Sequence, residues 1–167
     1  MTKRVLDPCC SIRAMWYDKA DPRTHFADCR SGRLNMDQYP SQKGRSDKVV
    51  APDQIHDFTD MPYDDESFYH VVFDPPHVKN SALNMETSIT GFVYGALDPD
   101  TWKETLSKGF SECFRVLKPN GTLIFKWSER SIQLHEVLKL TDQKPLYGHK
   151  SAKRMGTHWI AFIKDPG

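Results

Sequence analysis

The stretch that most restricts what this chain can fold into is Val71-Val72-Phe73-Asp74-Pro75-Pro76-His77. Three strand-forming apolar residues run into an acid, two prolines and an imidazole, the pattern of a buried strand that stops at a chemically equipped loop. Proline has no N–H to give to a sheet ladder, so the strand ends at Asp74. Pro75 steers Asp74 away from the helical region and Pro76 does the same to Pro75, which leaves a stiff, extended backbone. Such a loop holds a carboxylate, a carbonyl and a flat ring in fixed relation. Taken alone, Asp-Pro-Pro also suits any strand that closes in a turn, so the rest of the chain has to decide.

The segments before it read as strand, helix, strand. Lys3 to Leu6 is a strand that delivers Asp7 to a turn. Ile12, Met15 and Trp16 recur at helical spacing within Ser11 to Lys19, which predicts a short helix. Thr24 to Ala27 is the next strand, with Asp28 at its end. That order opens a doubly wound α/β sheet, whose ligands sit beyond the carboxyl ends of the strands. Cys29 to Lys48 is polar and aperiodic and reads as irregular. A strand or a helix around Val49 to Ile55 leads to Asp57 and Phe58 at the rim, followed by an acidic turn from Asp60 to Glu66.

Beyond His77, residues 78–98 are polar or small apart from Phe92 and Tyr94. A loop of that length is usually functional or mobile, which suggests a lid over the site. Trp102, Leu106, Phe110 and Phe114 lie four apart after the capping residues Asp100 and Thr101, marking a helix that ends near Leu117. Lys118-Pro119-Asn120-Gly121 is a turn and Thr122 to Trp127 a strand. Trp127 either lines the pocket or is buried. Ile132 to Leu140 suggests a further helix. Strands around Pro145 to His149 and Thr157 to Ile163 are joined by a short basic connection and predict a C-terminal antiparallel hairpin.

With 167 residues, one domain over 1–167 is expected. A net charge of +1 demands no polyanionic partner, and the chain carries no membrane-length apolar run or leader, so a soluble, cytoplasmic protein is expected. Cys9, Cys10, Cys29 and Cys113 lack paired metal-ligand spacing, and no metal is expected.

In their order, Asp7, Asp28, Asp57, Asp74-Pro75-Pro76-His77 and Phe114 to Gly121 resemble a class I S-adenosylmethionine-dependent methyltransferase. The chain is similar in particular to the amino-methyltransferases of adenine N6 and cytosine N4, whose signature is Asp, Ser or Asn followed by Pro-Pro and an aromatic, in the compact form seen in phages and prophages. The resemblance implies a Rossmann-like, mostly parallel sheet and the cofactor S-adenosylmethionine. It implies that Asp74, Pro75, Pro76 and His77 form the catalytic loop, with the Asp74 carboxylate and Pro75 carbonyl accepting from the target amine. His77 stands where the family has Tyr, Phe or Trp. Asp7, Pro8 and Cys9 would approach the methionine end of the cofactor, although Cys9-Cys10-Ser11 replace the usual small glycines. Asp28 would take the ribose hydroxyls, and Asp57 with Phe58 the adenine.

Lys150, Lys153 and Arg154 form a basic tip suited to phosphates, or else a solvated hairpin end. The leading expectation is methyl transfer to an exocyclic amine of a nucleobase, most readily adenine N6, in DNA or RNA. A small-molecule or protein-amide methyltransferase is the second reading. A degenerate subunit that binds cofactor or presents nucleic acid within a heteromer is the third. A chain this small leaves room for a protein partner or a homodimer to help grip a long substrate.

Overall fold

The computed structural model describes residues 3–80, 88–150 and 156–166. The hydrophobic strands assemble first-order neighbours around the Asp-Pro-Pro strand: β1 (Val5–Asp7), β2 (Thr24–Asp28), β5 (Gln54–Ile55), β6 (Phe68–Phe73), β7 (Leu117–Ser128), β8 (Tyr147–Lys150) and β9 (Thr157–Ile163) form one seven-stranded sheet in the order β5-β2-β1-β6-β7-β9-β8. Pairing is parallel from β5 through β7, and antiparallel where β9 meets β7 and β8. The mostly parallel, Rossmann-like sheet and its C-terminal hairpin are those expected. Strand order reverses between β1 and β6, so the carboxyl ends of β1, β2 and β6 open on one crevice.

One face of the sheet carries the main core. Helix α2 (Trp102–Val116) presents the predicted stripe, with Leu106 and Phe110 fully buried, against Phe73 and Phe125. The short helix α3 (Leu134–Val137) and the 3-10 turn after it add Val137, Leu138 and Leu140 to the same cluster. Trp127 is fully buried there and donates its indole N–H to Ile132 O at 3.0 Å. Burial, one of the two readings left open for Trp127, is what the fold selects.

Four expectations need correction. No helix forms over Ser11 to Lys19: Ser11 and Arg13 have φ of 47° and 54°, which no right-handed helix accommodates. The segment is tied instead by side chains, Trp16 to Asp7 and Arg13 to the carbonyls of Lys19 and Ala51. Those bonds replace the i to i−4 ladder. The 29–48 stretch is not wholly irregular, since β3 (Gly32–Leu34) and β4 (Lys48–Val50) pair antiparallel around two 3-10 turns. The 118–121 turn is absorbed into β7 as an irregularity in its register with β6, with Asn120 at φ 62°. Within 78–98, helix α1 (Ile89–Tyr94) is capped by Ser88 and buries Phe92 and Val93 against Leu34, Met36 and Val50. Residues 81–87 of that expected lid lie outside the described residues. Among the described residues no helix is long and apolar enough to cross a membrane.

Candidate active site

Asp7, Asp28 and Asp74 each end or directly follow a parallel strand, and the charges of Asp28 and Asp74 both act on Asp7. Three of the four predicted acids therefore converge. Asp7 is fully buried and accepts from the Trp16 indole at 2.7 Å and from the Cys9 amide at 3.2 Å. Burial pushes its pKa up to about 7, against the lowering effect of those two bonds. Pro8 and Cys9 follow, both buried. Burial also holds the Cys10 thiol up at about 12, so it stays protonated and unreactive.

Asp28 is 2% exposed and has both oxygens occupied. Arg30 donates to Oδ1 from its backbone N and Nε and to Oδ2 from Nη2, while the Ser11 amide also reaches Oδ2 at 2.9 Å. The same guanidinium donates through Nη1 to Phe92 O at 3.0 Å, and the Ser11 hydroxyl donates to Val93 O. Arg30 and Ser11 thus fasten α1 across the crevice. Gly95, at φ 66°, ends α1 where a Cβ would stand 3.2 Å from Pro76 Cγ, so a glycine is what lets the helix close on the Asp-Pro-Pro loop.

Asp57 follows the edge strand β5, next to the end of β2, and its charge acts on Cys29 together with that of Asp28. It is exposed, and its Oδ1 accepts from the Thr59 amide and hydroxyl at 2.8 Å each. Phe58 packs edge-on to Phe73, 8% exposed, inside the core.

Asp74 accepts from Lys126 Nζ at 2.5 Å through Oδ2. Sequence reading missed this lysine. Its signal is register: Phe73 lies opposite Phe125, so the next residue of each strand shares the other face. His77 lies beside Asp74, with ring centroids 5.8 Å from Tyr94 and 6.2 Å from Trp127. Burial lowers its pKa below the ordinary 6.5, Asp74 opposes the shift, and Lys126 adds to it, so the ring is neutral at neutral pH. The Pro75 backbone is a hydrogen-bond partner of that ring.

Two cavities meet at Asp74. One, about 90 Å³, runs along Cys9 to Ile12, Arg30, Pro75 and Val93. The other, about 180 Å³, is bounded by His77, Thr90, Tyr94, Lys126, Ser128 and Thr157. Asp74, His77, Tyr94 and Lys126 line both, so the carboxylate stands at a doorway between two compartments. At the far hairpin Lys150 donates to Glu129 Oε2 at 3.1 Å, and Lys153 and Arg154 lie outside the described residues.

No family model and no curated protein matches the chain. Solved structures do match. A TehB-like SAM-dependent methyltransferase from Corynebacterium glutamicum superposes with a TM-score of 0.58 at 13% identity, covering 98% of this chain and 81% of that one. A protein from Pyrococcus horikoshii OT3 gives 0.57 at 13% identity over 99% and 84% of the two chains. A predicted O-methyltransferase from Agrobacterium tumefaciens gives 0.52 at 12% identity over 98% and 74%. This chain has the class I methyltransferase fold. In that fold the crevice beyond β1, β2 and β6 is the sheet's switch point, the position at which open α/β sheets receive their ligands. The doorway at Asp74 opens on it.

Proposed function

We propose that the protein is an S-adenosylmethionine-dependent methyltransferase that methylates an exocyclic amino nitrogen of a nucleobase, most readily adenine N6 in DNA or RNA. The observation that carries this reading is the position of Asp74 between two cavities, on a proline-stiffened loop at the switch point. The cofactor would enter the compartment along Cys9 to Ile12, with its sulfonium methyl directed at the doorway. The base would enter the larger compartment against His77 and Tyr94, out of its stack.

An aromatic amine is a weak nucleophile because its lone pair is delocalised into the ring. Lys126 occupies Oδ2 of Asp74, leaving Oδ1 to accept an amine N–H, and that bond localises the lone pair on nitrogen. Asp74 and the Pro75 carbonyl would hold the nitrogen toward the sulfonium methyl group that the cofactor would supply, and Asp74 Oδ1 would take the proton that the amine gives up on methylation. Holding nitrogen, carbon and sulfur in line supplies several kcal/mol of the acceleration, on the order found for well-oriented intramolecular reactions. His77, neutral, provides a flat face without placing a second positive charge beside the developing one.

The decisive test is label transfer from methyl-tritiated cofactor to DNA and RNA. Label should appear in N6-methyladenine, and Asp74→Ala should lower turnover by at least about 10²-fold while S-adenosylhomocysteine still binds. Cofactor binding without label in either polymer would sink the nucleobase assignment and leave the small-molecule reading. That second reading is favoured by the modest 180 Å³ of the larger compartment, smaller than most ligand pockets of about 300–1,000 Å³. Lys150, Lys153 and Arg154 enter the proposal as phosphate contacts, and a loss of label confined to polymer substrates on their removal is the corresponding check.

A further inference from the structure

The larger compartment at Asp74 is walled unevenly in charge. Its lining holds one acid, Asp74, against two bases, Lys126 and Arg130, and among the described residues no second carboxylate borders it. Lys126 is engaged by Asp74, with Nζ 2.5 Å from Oδ2, so that pair is neutral as a unit. Burial keeps the His77 ring neutral as well. The lining is therefore net positive, and its positive end is Arg130.

Strand geometry puts that end away from the acid. Lys126 and Ser128 alternate with the core residue Trp127 and so share the face that borders the compartment. Ser128 lies opposite Thr157 across the β7–β9 ladder, which brings two hydroxyls to the middle of this wall. At about 3.4 Å per residue, Ser128 stands about 7 Å and Arg130 up to about 14 Å beyond Lys126. Arg130 is exposed, as is Thr90 of α1, and the two belong to the rim. The chain is fixed just before Arg130, because the Glu129 amide donates to Gly156 O at 3.0 Å and the Glu129 carboxylate accepts from Lys150 at 3.1 Å. The charge of Arg130 is felt at His77, whose pKa it helps to lower.

We propose that Arg130 is a substrate-binding residue that takes the phosphate of the nucleotide whose base amine faces Asp74. The proposal rests on the function proposed above for this compartment and narrows its substrate to a phosphorylated one. The guanidinium fork presents paired N–H groups that match two phosphate oxygens. An anionic group on the substrate is repelled by Asp74 and belongs at the opposite end of the molecule. A nucleotide meets that demand, with its amine and its phosphate at opposite ends and a sugar between them. The hydroxyls of Ser128 and Thr157, each both donor and acceptor, lie where the sugar would pass. At the exposed rim the phosphate keeps part of its hydration, which spares the cost of burying a charge. A cationic acceptor would meet the wrong sign.

The test is calorimetry in the presence of S-adenosylhomocysteine, with adenosine, adenosine 5′-monophosphate and a short oligoadenylate as ligands. The wild-type protein should bind the monophosphate at least about tenfold more tightly than the nucleoside. Arg130→Gln should bring that ratio close to unity, and Arg130→Lys, which keeps the charge and loses the fork, should leave it in between. Because the ratio compares two ligands on one protein, a general loosening of the fold does not move it. A ratio near unity in wild type, a ratio unmoved by Arg130→Gln, or no measurable binding of the monophosphate overturns the proposal. Tighter binding of the oligonucleotide than of the monophosphate assigns the phosphate to a polymer backbone, and comparable binding assigns it to a free nucleotide; the phosphate site stands in both cases. Label transfer separates this site from the reaction. A phosphate preference that depends on Arg130, with no methyl transferred to any of the three ligands, would keep the site and remove the methyl-transfer reading. Methyl transfer to nucleoside and monophosphate with equal kcat/KM would do the reverse.

Discussion

Asp7 is a carboxyl group sealed from water, in a crevice that under the proposed function receives a cation. Because burial raises its pKa from 3.8 to about 7, the folded protein keeps a proton between those values that the unfolded chain has already lost. Its contribution to stability therefore falls as pH rises from about 4 to about 7 and is level above that, by on the order of a few kcal/mol in all. Asp7→Asn cannot titrate, so thermal melts across that range should decline less steeply than wild type. The same group should report the cofactor. A sulfonium brought near the carboxylate favours its anion, so S-adenosylmethionine binding near neutral pH should expel a proton, and S-adenosylhomocysteine, uncharged at sulfur, should expel less. Calorimetry in two buffers of different ionisation enthalpy measures both, and equal proton release for the two ligands would count against this placement. Position after a strand made Asp7 readable from sequence. Its protonation was not readable, because that depends on Trp16 folding back over it rather than along a helix.

At the scale of elements, apolar periodicity was a good guide wherever packing decides and a poor one where polar side chains do. Leu106, Phe110 and Phe114 placed α2 correctly because one face had to meet β6 and β7. Ile12, Met15 and Trp16 have the same spacing and form no helix, since Ser11, Arg13 and Trp16 all find fixed partners outside the segment's own backbone. The fit of α2 against the sheet turns on Gly109, a residue that helix propensity disfavours. A Cβ there would stand 2.7 Å from Phe58 and 2.8 Å from Phe73, both aromatic rings of the core. Gly109→Ala should gain up to about 1 kcal/mol in helix propensity and lose about 1–3 kcal/mol to overpacking. Net destabilisation in urea melts is the expected outcome, and a variant more stable than wild type would show that α2 has room to shift. Phe58 was expected beside the cofactor's adenine. Its use as the ring under Gly109 gives it a packing role that sequence spacing does not reveal.

The whole molecule closes its own crevice. Asp28, on β2, holds Arg30; Arg30 and Ser11 hold α1; and α1 ends against Pro76 of the Asp-Pro-Pro loop. What remains beside Cys9 to Ile12 is about 90 Å³, well short of the roughly 300 Å³ at which small-molecule pockets begin. Under the proposed function a nucleoside-bearing cofactor would need more room than this compartment gives, and its ribose would meet an Asp28 with both oxygens already in use. Under the proposed function, opening must precede binding. Kinetically, that is selection of a minor open state, so the observed binding rate should level off at high cofactor concentration instead of rising in proportion. Arg30→Lys keeps a cation beside Asp28 but loses the fork that spans Asp28 and Phe92 O together. The variant should raise the plateau rate several-fold and tighten apparent affinity by the reciprocal of the gain in open population. Stopped-flow quenching of Trp16, which sits on Asp7, follows both quantities. A binding rate that stays linear in concentration for wild type, or a plateau unchanged in Arg30→Lys, would mean that the tie between β2 and α1 is not what guards the crevice.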